Sequence, residues 1–155
     1  MPPTVLPITP PGVFIDSGGL IALNVPDDTY HLQAIQCWDQ TLQFSRLYTS
    51  SAVVGETIGN IQRNRLLDQQ SLYDLITDLD TEGWMQLLTV DDAAARESLR
   101  MVKEKKDRRF SFVDATNIVL MERHEIEVLF SFDTYYDGVF LRRGFNQRPI
   151  LRIGP

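Results

Sequence analysis

Apolar residues in this chain form short continuous runs that alternate with longer stretches of helical periodicity. Five runs are typical of strands and lie at about 13–15, 47–49, 85–90, 128–132 and 149–153. Stretches with apolar residues three or four positions apart predict helices at about 31–44, 51–65, 68–82, 92–105 and 111–124. Strands that are continuously apolar and separated by helices indicate an α/β domain with a mainly parallel sheet covered on both faces.

The beginning of the chain differs from the remainder. Five of its eight prolines fall within the first eleven residues, where they prevent a helix or a central strand. We expect residues 1–12 to be a Pro-rich N-terminal arm and residues 13–155 to be one domain. A length of 155 residues leaves little room for a second domain.

Composition places the chain among ordinary globular proteins, with 43% hydrophobic and 23% charged residues. The single cysteine, Cys37, excludes an intramolecular disulfide framework and a cysteine-rich zinc site. We interpret Cys37 as a reduced core residue. The sequence shows neither a signal peptide nor the ~20 apolar residues that a membrane span requires, so we expect a cytoplasmic protein.

The formal net charge is −6, which argues against a protein that holds nucleic acid by a broad basic face. An acidic balance suits a protein that gathers several carboxylates at one site, or one with a basic partner.

Two acidic residues follow predicted strands. Asp16 comes directly after Val13-Phe14-Ile15, and Asp133 comes directly after 128–132. Ligands of open α/β sheets bind outside the carboxyl ends of the strands, so the edge at which these two strands end is the expected position of a binding site. Either aspartate alone could simply end a strand and cap a helix. The two together favour a functional role.

A third acid, Glu56, lies on the helix after the second strand. With Asn60 and Arg63 it forms a polar stripe, and on periodicity alone a solvated stripe is the simpler interpretation. Gly55 and Gly59 count against that interpretation, since glycine in a helix costs ~1 kcal/mol relative to alanine and usually marks close packing.

A fourth acid, Asp114, stands in Ser111-Phe112-Val113-Asp114, which is nearly a capping box. That structural role would explain Asp114 completely. The helix is nevertheless apolar almost all round, and polar groups on a buried helix are usually purposeful. Asn117, one turn further on, could join the same pocket.

Carboxylates converging on one sheet edge repel each other unless a cation neutralises them. Magnesium does so with oxygen ligands, usually one or two carboxylates plus waters and substrate phosphates. His31 and His124 have no second histidine or cysteine at metal-binding spacing, which argues against zinc as the metal.

The four acids stand in segments that together resemble a known family. The segments are 13–17, 49–56, 110–115 and 129–133, and their acids are separated by 40, 58 and 19 residues. In this order they resemble the PIN domain, and in particular the VapC-type toxins of prokaryotic toxin–antitoxin pairs. The resemblance runs from about Val13 to Ile153.

This resemblance implies a PIN-like three-layer α/β/α sandwich and a magnesium- or manganese-dependent endoribonuclease. The metal ligands would be Asp16, Asp114 and Asp133, and Glu56 would orient a water. Ser17 would support them, and Asp137 is an auxiliary candidate, although Asp137-Gly138 is also a good turn. The partners implied are an RNA substrate, a cognate antitoxin and a second copy of the chain.

RNA backbone contacts would need local basic groups. The candidates flank the acids in sequence: Arg63, Lys103, Lys105, Lys106, Arg108, Arg109, Arg142 and Arg143. Solvated helix ends are the common alternative for such charge runs.

Three other functions compete. A phospho-acceptor signalling domain usually has two adjacent acids after its first strand and a lysine after a late strand, which this sequence lacks. A non-catalytic PIN-like binding module would be expected to lose acids, and all four remain. A nuclease of RNA maturation without a toxin role stays open.

Overall fold

The computed structural model describes residues 12–42, 46–143 and 146–154. Most of the predicted Pro-rich arm, residues 1–11, lies outside the described residues, and Gly12 is already part of the first strand. The strands are β1 Gly12–Ile15, β2 Arg46–Ser50, β3 Gln86–Leu88, β4 Val128–Phe130, β5 Phe140–Arg143, β6 Asn146–Pro149 and β7 Leu151–Ile153. The helices are α1 Ser17–Asn24, α2 His31–Thr41, α3 Ser51–Asn64, α4 Gln69–Asp80, α5 Asp92–Lys105 and α6 Phe112–Arg123.

Five of the described strands form one parallel sheet in the order β3-β2-β1-β4-β7. Strand β1 is central, and its Val13 is in register with Leu47 of β2 and Val128 of β4. Strands β5 and β6 form a separate antiparallel pair. The prediction of a mainly parallel sheet of about five strands is confirmed.

The topology places the helices on both faces of this sheet. From β1 the chain moves through β2 to β3 in one direction, then returns across the sheet to β4 and β7. Since parallel crossovers are right-handed, α1 to α4 cover one face and α5 and α6 the other. This is the predicted α/β/α sandwich. The strand order reverses between β1 and β4, and such a switch point opens a crevice at the carboxyl ends of the strands.

The core explains why the apolar runs are continuous. Val13, Phe14 and Ile15 of β1 are fully buried, as are Leu129 and Phe130 of β4. Helix α6 is buried over the seven consecutive residues 115–121. Strands and a helix covered on all sides need no polar face, so they carry no alternating pattern.

The structure departs from the predicted elements in three places. Helix α1 was not predicted, because the glycine pair at its start has low helix propensity and the segment is short. The β5–β6 pair was also not predicted. Strand β4 ends at Phe130, so Ser131 and Phe132 separate the strand from Asp133.

Glycine 19 allows α1 to approach β4. A Cβ added there would lie 2.5 Å from Cδ1 and 2.9 Å from the carbonyl oxygen of Phe130. A Cβ added at Gly55 or Gly59 would meet nothing within 4 Å, so the interpretation that these two glycines mark close packing was wrong. The close contact lies on α1 instead of α3.

The described helices include none that is long and apolar enough to cross a membrane.

We expect Gly19→Ala to destabilise the protein by about 1–3 kcal/mol, because neither a ring nor a carbonyl of the core strand can move aside freely. The matched control is Gly55→Ala, an exposed helical position with open space around it. The control should be neutral or stabilising by up to about 1 kcal/mol. Urea unfolding of both variants measures the difference, and equal stability would contradict the close approach.

Candidate active site at the carboxyl edge of the sheet

A pocket of about 290 Å³ opens at the carboxyl edge of the sheet, beyond the ends of the neighbouring strands β1 and β4. It is lined by Asp16, Ser17, Gly18, Glu56, Arg109, Ser111, Asp114, Ser131 and Asp133. The structure therefore brings together all four predicted acids and the predicted Ser17. Their elements are far apart in sequence, and the sheet topology alone makes them neighbours.

Asp16 lies at the centre of this arrangement. It follows β1 directly, and its Oδ1 caps α1 by accepting from the backbone N–H of Gly18 at 3.0 Å. Its Oδ2 accepts from the hydroxyl of Ser131 at 2.7 Å. The residue is only 5% exposed. Its hydrogen-bond partners among the described residues, Ser17, Gly18 and Ser131, are uncharged, so dipoles alone stabilise its negative charge.

Glu56 reaches the pocket from α3. This helix begins with Ser50 as its N-cap at the end of β2, so its first turns stand over the carboxyl edge. The hydroxyl of Ser17 lies 2.7 Å from Glu56 Oε2 and 3.0 Å from Asp16 Oδ1. Since a hydroxyl has one proton, Ser17 donates to one of these carboxylates at a time. Ser17 therefore connects Asp16 to Glu56.

Asp114 is fixed by hydrogen bonds on both oxygens. The predicted capping box exists: the Ser111 hydroxyl accepts from the Asp114 N–H, and Asp114 Oδ2 accepts from the Ser111 N–H at 2.9 Å. Asp114 Oδ1 accepts from the hydroxyl of Tyr136 at 2.9 Å. The capping role and a place in the pocket are thus compatible.

Asp133 is the most open of the four acids, with an exposed side chain. It caps a short 3-10 helix, Thr134–Tyr136, by accepting from the Tyr135 N–H at 2.8 Å. Its own N–H donates to the hydroxyl of Ser131 at 3.1 Å. Arg152 of β7 donates to the Ser131 carbonyl at 3.0 Å and thereby holds this segment against the sheet.

Burial dominates the electrostatics of Asp16. It raises the pKa of this carboxyl from 3.8 to about 6, against the lowering effect of the bonds from Ser131, Gly18 and Ser17. The negative charge of Asp114 raises the pKa further. The two carboxylates are therefore close enough to repel each other, and a cation placed between them would relieve the repulsion.

The lining residues supply oxygen donors: carboxylates, serine hydroxyls and no histidine or cysteine. Arg109 is the one basic side chain in that lining, and it is paired with Asp107 at 3.2 Å. This chemistry fits a hard divalent cation such as Mg²⁺. Within the described ranges no three acidic, histidine or cysteine side chains are grouped to hold an ion by themselves. Magnesium usually binds through one or two carboxylates and keeps several waters, which agrees with an open pocket of this kind.

Other predicted site residues lie elsewhere. Asn117 is fully buried behind the pocket and does not line it, but its Nδ2 donates to the Tyr136 hydroxyl at 3.1 Å. Asp137 belongs to the turn with Gly138 and is ion-paired with Arg152, which lowers the pKa of Asp137. An auxiliary ligand role for Asp137 thus has no support in the geometry.

Of the basic residues predicted to contact RNA, some lie at the pocket and others do not. Arg109 lines the pocket, whereas the exposed Arg63 and Arg108 do not. Arg142 and Arg143 have their backbone in β5, and their side chains lie outside the described residues. Lys105 lies over the rings of Phe110 and Tyr135 at 5.5 and 5.6 Å, and it is not a lining residue.

Three contributors were missed by the sequence reasoning: Ser131, Ser111 as a lining residue, and Tyr136. Ser131 could have been found, since it follows β4 at the edge where ligands bind. Tyr136 carries no such signal, because its contact with Asp114 spans 22 residues.

A sequence model of the PIN domain matches residues 13–139, which is most of the chain. The chain belongs to the PIN domain family. The predicted family resemblance is therefore confirmed, and the pocket described above lies at the carboxyl edge of a PIN domain. None of the curated proteins matches the chain in sequence.

Solved structures share this PIN fold. VapC20 of Mycobacterium tuberculosis, described as a sarcin-ricin loop cleaving toxin, aligns with a TM-score of 0.70 at 22% identity, covering 79% of this chain and 90% of that one. FitAcB of Neisseria gonorrhoeae aligns with a TM-score of 0.56 at 15% identity over 79% and 88%. FitAB bound to an IR36 DNA fragment aligns with 0.55 at 13% over 79% and 86%. At these identities the likeness concerns the fold.

We expect Asp16→Asn to stabilise the metal-free PIN domain at pH 7.5 by roughly 1–3 kcal/mol. A folded-state pKa raised from 3.8 to about 6 means that the contribution of Asp16 to stability is fully present below about pH 3.8 and is lost as the pH rises through 6. Asparagine keeps the shape without the charge: its Oδ1 can still accept from Gly18 and Ser17, and the Ser131 hydroxyl can reverse to accept from its Nδ2.

Thermal melting in a chelating buffer at pH 7.5 and at pH 4.5 measures this effect. The melting temperature of Asp16→Asn should exceed that of the wild type clearly at pH 7.5 and by much less at pH 4.5. A variant that is less stable than the wild type at both values would contradict the electrostatic account.

Proposed function

We propose that this PIN domain is a divalent-metal-dependent endoribonuclease that acts as the toxin of a type II toxin–antitoxin pair. The observation that carries the proposal is that one pocket at the switch point of the sheet is lined by Asp16, Glu56, Asp114 and Asp133 together. Membership of the PIN family supports nuclease chemistry. The description of VapC20 as a loop-cleaving toxin supports RNA as the substrate and the toxin role.

The two buried or half-buried aspartates are the proposed metal ligands. Asp16 and Asp114 repel each other across the pocket, and both have oxygens oriented by hydrogen bonds from the protein. Asp133 at the exposed rim and Glu56 on α3 would complete the site through water. When bound, Mg²⁺ or Mn²⁺ would stabilise the negative charge that develops on the phosphate oxygens during cleavage.

The chain's own residues would orient the reacting groups. Glu56 faces the pocket with Ser17 bonded to one carboxylate oxygen, so the other can accept a proton from an attacking water. Arg109 at the rim could contact a phosphate of the RNA, and this contact would compete with its pairing to Asp107. Because only one basic group lines the described pocket, substrate affinity should depend strongly on the cation.

The same proposal includes partners. A toxin that cleaves cellular RNA must be inhibited while the cell grows, so the toxin role implies a cognate antitoxin. Homodimerisation and cytoplasmic localisation stay predictions from the sequence. A nuclease of RNA maturation would have the same pocket, and coexpression with the neighbouring gene product separates the two roles: a toxin arrests growth only when that product is missing.

Asp16→Asn and Asp114→Asn are each expected to reduce RNA cleavage at least a hundredfold, because each removes a charge that would hold the cation. The measurement is a cleavage time course on total RNA with the cut ends sequenced. Cleavage at the wild-type rate by either variant would show that the site assignment is wrong.

Asp137→Asn is the matched control, since it makes the same chemical change on an aspartate of the neighbouring turn that pairs with Arg152. It should retain cleavage within about threefold. If Asp137→Asn lost as much activity as Asp16→Asn, Asp137 would have to be assigned to the active site.

Removal of divalent ions should stop cleavage, and Mg²⁺ or Mn²⁺ should restore it. The assay uses protein treated with chelator and then dialysed, so that a trace of chelator does not mask the restoration. Zn²⁺ serves as the comparison ion and should restore much less, since the lining offers no nitrogen or sulfur ligand. Cleavage that continues after exhaustive chelation would exclude metal-dependent chemistry.

A further inference from the structure

Behind Asp114 the pocket has a second layer, formed by Asn117, which was predicted to join the pocket itself, and by Tyr136, which was not predicted. We propose that the hydroxyl of Tyr136, held in turn by Asn117, is a positioning group that fixes the Asp114 carboxylate for cation binding. The inference rests on the proposed function, because it assigns a role to Asp114 as a ligand.

The three side chains form one chain of hydrogen bonds. Asn117 Nδ2 lies 3.1 Å from the Tyr136 hydroxyl, and that hydroxyl lies 2.9 Å from Asp114 Oδ1. Tyr136 and Asn117 are both fully buried. The link joins α6 to the 3-10 helix that Asp133 caps, so two of the four acids are connected through it.

The direction of donation follows from the chemistry of the end group. An ionised carboxylate only accepts, so the tyrosine must donate to Asp114. Its oxygen then faces Asn117 as an acceptor, and the amide must present its Nδ2. Burial and the charges of Asp16 and Asp114 raise the pKa of Tyr136, which keeps the phenol protonated and able to donate.

Packing alone does not account for these residue types. Phenylalanine would fill almost the same volume as Tyr136 without burying a hydroxyl, and burying polar groups costs stability unless they are bonded. Asn117 is buried at a further cost, since its Oδ1 has no hydrogen-bond partner among the described residues. The protein therefore keeps a buried hydrogen-bonded link from Asn117 through Tyr136 to Asp114, and Asp114, the charged residue of the three, lines the pocket.

The consequence for Asp114 is a fixed orientation. Its Oδ2 is held by the backbone of Ser111 and its Oδ1 by Tyr136, so the carboxylate cannot rotate. Partners of this kind behind a metal ligand commonly contribute 10- to 100-fold to metal affinity or activity. Without the phenol hydroxyl, Asp114 would keep its helix cap but lose the bond on the other oxygen.

The decisive comparison is Tyr136→Phe against Tyr135→Phe in the full chain. Both remove one hydroxyl from adjacent tyrosines, but the Tyr135 ring lies against Phe110 and only its backbone N–H bonds an acid of the pocket. Mn²⁺ is titrated into each protein by calorimetry without RNA. Cleavage is then measured as a function of Mg²⁺, at a temperature where melting shows every variant to be folded.

We expect Tyr136→Phe to weaken Mn²⁺ binding about tenfold and to raise the half-saturating Mg²⁺ concentration similarly, with kcat at saturating Mg²⁺ within about threefold of wild type. Tyr135→Phe should change neither quantity more than twofold. A purely structural bond would lower the melting temperature and leave Mn²⁺ affinity unchanged.

The outcomes separate this inference from the proposed function. If the wild type binds Mn²⁺ and cleaves RNA, and Tyr136→Phe matches it in both, only the positioning role fails. If Tyr135→Phe weakens binding as much as Tyr136→Phe, the role is not specific to Tyr136 and the inference also fails. If the wild type neither binds Mn²⁺ nor cleaves RNA, both proposals fail.

Discussion

The buried carboxylate of Asp16 is the constraint on which the remainder of this site depends. It follows the central strand β1, whose Val13, Phe14 and Ile15 are fully buried, and uncharged donors from α1 and from the segment after β4 surround it. A charge in such a place costs free energy, as its pKa of about 6 indicates. Helix α1 must begin directly after Asp16, the segment after β4 must stay close to it, and residue 19 must be glycine.

The same constraint explains the arrangement of the serines. Ser17 connects Asp16 to Glu56, Ser131 connects it to the backbone of Asp133, and Ser111 holds Asp114 from the other side. Each of these groups donates one hydrogen bond to a carboxylate oxygen, and the carboxylate has further lone pairs with which to bind a cation. The acids are thereby kept at one edge, where Arg109 is the one basic side chain of the described lining and is itself paired with Asp107. A cation is the natural complement of such a pocket.

Around this centre, the fold separates rigid from adaptable parts. Asp16 and Asp114 are held on both oxygens by groups from packed elements, whereas Asp133 is exposed on a short 3-10 helix. Arg109 is also exposed and is bonded to a neighbour in its own loop. Rigid ligands favour cation binding, because less ordering is needed on association. Exposed groups at the rim can adjust to a substrate.

The sequence by itself determined the local structure that places each acid. The apolar runs predicted the strands, the capping box at Ser111 predicted a helix start, and the order of the four acids indicated the PIN family. Periodicity and capping act over a few residues, so they can be read along the chain. The contact of Tyr136 with Asp114, the approach of Gly19 to Phe130 and the separation of Arg63 from the pocket depend on how distant elements pack. Only the tertiary structure decided them, because no local pattern encodes which side chains meet across a sheet edge.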